Sequence, residues 1–196
     1  SNINLSLPND ISIYNFMKKQ NMKRLDGIAI NYFGNLITYH DLFMRIEDAA
    51  MKFSKMGIKC GDIVTICMRT TPEVAICFYA LNKLGAIASM VHPLSAETEI
   101  KDSVISTKSK YLIIYDAQYS KIKNFIDDLK MKKVIFVSPG NSLGLLKNIF
   151  YDITQIGKFE QRQIKKNFIN WIEFLIKSKY YENFKRERFG KNPPAV

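Results

Sequence analysis

GDIVTICMRTTPEVAICFYALNKLGAIASMV, Gly61 to Val91, places two largely apolar runs of strand length on either side of a segment of helix length. Gly61-Asp62 turns the chain into Ile63 to Met68, which lacks the alternation of a half-exposed strand and so reads as one covered on both faces. Thr71-Pro72-Glu73 then supplies a cap position, a proline whose missing N–H is harmless in a first turn, and an acid beside the positive end of the helix dipole. The spacing predicts a helix from Pro72 to Leu84, closed by Gly85. Val74, Ala75, Ile76, Cys77, Phe78, Ala80 and Leu81 leave it almost no polar face, so cover is expected on both sides. Ala86 to Val91 is the second strand, and a right-handed crossover makes it parallel to the first.

The same alternation of periods extends outward from about residue 12 to residue 138. A short helix is expected near Ile13 to Lys19, and Ile28 to Phe33 with Leu36 to Tyr39 read as a hairpin turning on Gly34-Asn35. Thr38 can cap the next helix, with Asp41 three residues on; Leu42, Ile46, Ala49, Ala50 and Phe53 recur at helical spacing, and Gly57 ends it. Ser95 can cap a helix reaching about Ser106. The strand Tyr111 to Tyr115, a helix after Asp116 and the strand Val134 to Val137 follow. The fold class is therefore α/β, with a largely parallel sheet flanked by helices. After Pro139-Gly140 the reading is a helical appendage: an amphipathic helix carries Leu146, Ile149, Phe150 and Ile153, Lys158 to Lys166 is basic, and Asn170-x-x-Glu173 opens another helix. The organisation expected is a tail over 1–11, a helix, hairpin and helix over 12–57, a parallel core over 58–138, and the appendage over 139–196.

With 196 residues, 47% hydrophobic and 24% charged, the chain is long enough to bury about two thirds of its unfolded surface. Ser1-Asn2 looks like a cleavage scar, the amino terminus lacks the order of a secretion signal, and no apolar run has membrane-spanning length. A cytoplasmic protein is expected. Cys60, Cys67 and Cys77 form no C-x-x-C pair and read as reduced core thiols. The net charge of +11 fits an anionic partner, but also a general bias toward Lys, Asn and Ile. No basic run with interleaved aromatic residues emerges, so no specific nucleic-acid partner is expected.

Few residues invite chemistry. His40 and His92 are the two histidines, and neither has Cys, Asp or Glu at metal spacing. His92 falls at the carboxyl end of a predicted parallel strand, the edge where α/β proteins place ligands. SPGNSLGLLK, Ser138 to Lys147, follows a strand, but no Gly-Lys-Ser/Thr completes a phosphate loop. Asp127-Asp128 and Glu97-x-Glu99 read as solvated helix charges. No residue is assigned a catalytic, cofactor-binding or metal-binding role.

From Thr38 to Lys110 the chain resembles the amino-terminal region of the AMP-forming acyl ligases: acyl-CoA synthetases, luciferases and adenylation domains. The resemblance is carried by Thr38-Tyr39 and Leu42, Gly57-Ile58, Gly61-Asp62 and Val64, Pro72-Glu73, Ala80 with Leu84-Gly85-Ala86, Pro93, and Glu99-Ile100 through Ser109-Lys110. It is clear over about residues 12–116 and looser as far as NFINWIEFL.

The resemblance implies the first subdomain of the large domain of adenylate-forming enzymes. It implies a parent that joins a carboxylate to ATP, with Mg²⁺, and passes the acyl group to a thiol of CoA or a carrier protein. It further implies that KNPPAV, Lys191 to Val196, leads toward a Ser/Thr/Gly-rich phosphate loop closing in Lys-Gly. The catalytic motifs lie beyond that point, so the 196 residues alone are expected to be inactive. Cover for Phe16, Ile28, Ile30 and Phe53 is expected from the rest of the parent chain; without it, self-association or disorder of residues 1–57 is expected. A stand-alone basic module binding an anionic partner is the alternative, and a third reading makes Leu143 to Lys166 a membrane-surface element.

Overall fold

The computed structural model describes residues 12–137 and 166–170. In order these form α1 (Ile13–Asn21), β1 (Ile28–Tyr32), β2 (Asn35–Thr38), α2 (Tyr39–Lys55), β3 (Ile63–Cys67), α3 (Pro72–Lys83), β4 (Ile87–Val91), α4 (Glu97–Thr107), β5 (Tyr111–Tyr115), α5 (Tyr119–Ile122), β6 (Lys133–Val137) and β7 (Phe168–Asn170). β1 and β2 make an antiparallel hairpin, while β4-β3-β5-β6-β7 is a parallel sheet in that order.

The Gly61–Val91 unit folds as its residues dictate. β3 and β4 pair parallel from Ile63↔Ile87 to Cys67↔Val91, bridged by α3. α3 lies against the sheet on one side and against α1 and α2 on the other, with Phe78 on its most open stripe. Thr71 holds the position before the helix but makes no capping hydrogen bond.

Side chains alternate across the sheet into two cores. Val64, Ile66, Ile113 and Ile135 meet α2 and α3; Leu112, Ile114, Val134 and Phe136 meet α4, α5 and the turns that follow. Two helices end in the same closure. Ile58 N–H donates to Phe53 O (3.1 Å) and Gly57 N–H to Ser54 O (2.9 Å); Ala86 and Gly85 repeat this on Leu81 (3.0 Å) and Asn82 (3.1 Å). Gly57 and Gly85 supply the required left-handed residue, at φ +94° and +72°.

α1, α2 and α3 are joined by one carboxylate. Glu47 on α2 accepts from the Tyr14 phenol (2.6 Å) and the Lys18 ammonium (2.9 Å) of α1, and pairs with Lys83 of α3 (2.6 Å). Burial alone would raise its pKa, but the hydrogen bonds from Lys83, Tyr14 and Lys18 outweigh burial and hold it at about 2. At the amino edge of the sheet the buried Ser109 hydroxyl donates toward Ile63 O (2.9 Å) and Tyr111 O (2.8 Å) and accepts from Thr65 N–H (3.2 Å), tying β3 to β5 where the ladder starts.

Several expectations are corrected. The hairpin turns on Phe33-Gly34, since Tyr32 pairs with Asn35; both turn residues have positive φ (+49° and +81°), the geometry whose twist matches a two-residue loop. α4 starts after Ala96 rather than Ser95, because Glu99 reaches back to the Ala96 N–H (2.9 Å). The helix after Asp116 is a single 3-10 turn and four α residues, followed by tight turns that still bury Ile122, Phe125 and Ile126. Phe168–Asn170 is a fifth parallel strand rather than part of a helical appendage; three residues are too few to show a period. Phe53 is fully buried, because α2 turns it inward against its own closure, whereas Phe16 and Ile28 are exposed. α1 and α2 both pack against α3. The predicted helices over 143–153 and after Asn170, and the tail over 1–11, lie outside the described residues.

Candidate ligand groove at the carboxyl edge

β3 is the first strand of the sheet in the chain; β4 is laid to one side of it and β5 to the other, giving the order second, first, third, fourth, fifth. Open parallel sheets of this order place ligands where the winding reverses, outside the carboxyl ends of the first and third strands. Here that point lies between Cys67 of β3 and Tyr115-Asp116 of β5.

The chain's own side chains fill it. Asp116 is buried and accepts from Ala117 N–H (2.6 Å), which starts the turn carrying Gln118. Gln118 crosses the reversal point, donating to Pro93 O, and its amide oxygen lies 3.7 Å from Cys67 Sγ. Lys121 adds hydrogen bonds to Pro93 O (3.3 Å) and Ser95 O (3.1 Å). The loop after β4 is thereby clamped to the turn after β5.

The open space lies one strand over. A groove of about 490 Å³ is lined by Met68, Arg69 and Thr70 after β3 and by Met90 to Leu94 at the end of β4. His92 stands on it, at the carboxyl end of β4, as the sequence predicts. Its Nδ1 accepts from Leu94 N–H (3.1 Å), so the neutral ring carries its proton on Nε2. Arg69 is exposed and in no ion pair among the described residues, leaving its guanidinium available to an anion.

Thiol chemistry is disfavoured. Burial pushes the Cys67 thiol up to about 11 despite nearby Lys121, and burial, with the Glu73 charge, raises Cys77 well above its ordinary value, so neither supplies a thiolate at neutral pH. Cys60 is exposed rather than in the core, because it sits in the turn before β3. Burial also lifts the Tyr115 phenol to about 12, against a smaller lowering by the neighbouring Thr71 hydroxyl; it stays protonated at neutral pH.

The structure does not bring the two histidines together. His40 is on α2, its N–H on Leu25 O (2.9 Å) and its ring 3.9 Å from Asp41, beside a smaller cavity of about 190 Å³ between α1 and α2. Glu97 and Glu99 serve the start of α4, with Glu97 3.4 Å from Asn124. Asp127 and Asp128 are exposed in turns rather than on a helix. Ser138 to Lys147 lies outside the described residues. Sequence reasoning missed Arg69, Gln118 and Lys121. Arg69 had a signal, a cation directly after a buried strand; the clamp had none.

The chain matches the family described as AMP-binding enzyme over residues 17–152, well over half its length. It belongs to that family. A 4-coumarate–CoA ligase of Humulus lupulus is 29% identical over 104 residues, 53% of this chain and 19% of that protein. A 3-hydroxypropionyl-coenzyme A synthetase of Sulfurisphaera tokodaii is 36% identical over 88 residues, 45% of this chain and 13% of that protein. The chain thus spans less than a fifth of the length of these relatives. Among solved structures, coronafacic acid ligase from Pectobacterium brasiliense shares the fold at a TM-score of 0.68, with 18% identity over 84% of this chain and 29% of that one. As an AMP-binding enzyme region, the chain has the architecture its sequence resemblance implies, and its groove lies at the edge where such sheets take ligands.

Proposed function

We propose that these residues form the opening part of the large domain of an ATP-dependent carboxylate ligase, which makes an acyl adenylate and transfers the acyl group to CoA or a carrier thiol. The observation that carries this reading is the family match over residues 17–152 combined with the reversal-point sheet. The contribution of this region is structural: a clamped carboxyl edge with Arg69, His92 and Pro93 forming one wall of a ligand space.

Such chemistry uses Mg²⁺, which one or two carboxylates and the substrate phosphates hold; among the described residues no three His, Cys, Asp or Glu side chains stand together as a metal site of their own. The 196 residues alone are proposed to be inactive, with adenylation carried by other parts of the parent ligase. The exposed thiol of Cys60 and the buried thiols of Cys67 and Cys77, all unpaired, support a reducing compartment such as the cytoplasm. No helix among the described residues is long and apolar enough to cross a membrane.

Ile13, Phe16, Ile28 and Leu36 are exposed on α1 and the hairpin, which supports later chain as their cover in the whole ligase and self-association without it. The test is carboxylate-dependent ATP–pyrophosphate exchange. A full-length protein is expected to exchange label and the 196-residue chain is not; exchange by the short chain overturns the assignment of the chemistry elsewhere.

A further inference from the structure

The edge opposite the groove carries an unexplained concentration of charge. β5, β6 and β7 start side by side there, and their approaches hold Lys108, Lys110, Lys130, Lys132, Lys133 and Lys166, all exposed except Lys133, which is half-buried. Adjacent strand starts are about 4.8 Å apart, so the three span only about 10 Å. Lys132 N–H and Lys133 N–H both donate to Lys110 O, and Asn167 bonds Met131 O, so these segments are fixed against one another. None of the six lysines is in an ion pair among the described residues; the acids nearby in sequence are Asp127 and Asp128.

Two of these lysines sit where folding prefers another residue. α4 closes as α2 and α3 do, with Ser109 N–H on Val104 O (3.1 Å) and Lys108 N–H on Ile105 O (3.0 Å). The left-handed position that is Gly57 and Gly85 in those helices is Lys108 here, at φ +55°, and Lys130 before β6 is also left-handed, at φ +47°. A lysine in this conformation is strained relative to glycine. The approaches to β3 and β4 take the relaxed residue, and those to β5 and β6 take the charged one.

We infer that this amino-terminal edge is an interaction surface for an anionic lipid membrane. The charges are all lysines, flexible point charges suited to a diffuse array of headgroups rather than the fork that Arg offers to defined phosphates. Among the described residues no exposed aromatic ring stands with them for bases to stack on, since Tyr111 is buried and Phe168 half-buried, and that disfavours single-stranded nucleic acid. On the last turn of α4, Ile105 is half exposed beside Lys108, an apolar group able to reach below the headgroups. The carboxyl-edge groove faces away from such a membrane and stays open.

The test is flotation of the 196-residue chain with phosphatidylcholine vesicles, with and without phosphatidylserine, at about 0.15 M salt. Binding is expected only with phosphatidylserine. Replacing Lys108, Lys110, Lys130 and Lys132 by Gln is expected to weaken it by at least about a hundredfold, from roughly fivefold per lysine. The same change at Lys19, Lys23, Lys55 and Lys59, equal in net charge, is expected to leave most of it. A K108G/K130G variant separates folding from binding, since it is expected to melt no lower than wild type while binding vesicles more weakly. Equal loss from both quadruple variants, equal binding to neutral vesicles, no binding at all, or tighter binding to a homopolymeric RNA than to the acidic vesicles overturns the assignment.

Discussion

Replacing Glu47 by Gln tests whether one carboxylate holds the helical layer together. The side chain keeps its shape and one acceptor oxygen but loses the charge that faces Tyr14, Lys18 and Lys83. The folded pKa of about 2 against the ordinary 4.5 corresponds at full value to about 3 kcal/mol. Glu47 is partly open to solvent, so screening reduces this to about 1.5 kcal/mol. The sign follows from a depressed folded pKa: the stabilisation is complete above pH 4.5 and is lost as the pH falls toward 2. In urea unfolding followed by circular dichroism, Glu47→Gln is expected to be less stable than wild type by about 1.5 kcal/mol at pH 7, with the difference shrinking steadily below pH 4.5. A gap of the same size at pH 3 and pH 7, or none at pH 7, would show that the carboxylate charge does not hold α1 and α3 to α2.

Other substitutions probe the sheet. Gly85→Ala places a Cβ 2.8 Å from Cys60 Sγ at φ +72°, and is expected to lower stability by about 1–3 kcal/mol; Cys60→Ala in that background should recover only the contact part, as thermal melting will show. Ser109→Ala removes the acceptor of Thr65 N–H from a buried site and is expected to destabilise by about 1–3 kcal/mol in denaturant titration, with amide exchange rising first at Thr65. Under native conditions at pH 8, iodoacetamide is expected to label Cys60 and spare Cys67 and Cys77, whose thiols are raised by burial; peptide mapping that finds Cys67 labelled as fast as Cys60 contradicts that burial.

The parallel unit was legible because its signals are local and redundant. Thr71-Pro72-Glu73 starts α3, Gly85 ends it, and the apolar runs on either side have no polar face to offer water. The failures are equally physical. A two-residue turn at Phe33-Gly34 rather than Gly34-Asn35 is one step of register, which composition does not fix when the bulky residue itself accepts a positive φ. β7 acquires its structure from pairing with β6 rather than from its own three residues. In the groove, His92 was visible from its place after a strand. The clamp of Gln118 and Lys121 on Pro93 was not, because it joins residues 25 and 28 positions apart through side chains that look like ordinary surface.

The parallel sheet is a partition as well as a scaffold. Val64 and Ile66 pack on one side of it and Leu112 and Ile114 on the other, so a cavity made by Leu81→Ala beneath α3 has no shared neighbour with one made by Ile126→Ala across the sheet. The two losses should simply sum. Lineages could then redesign either half without disturbing the other, keeping the layer under α3 while the opposite layer drifts.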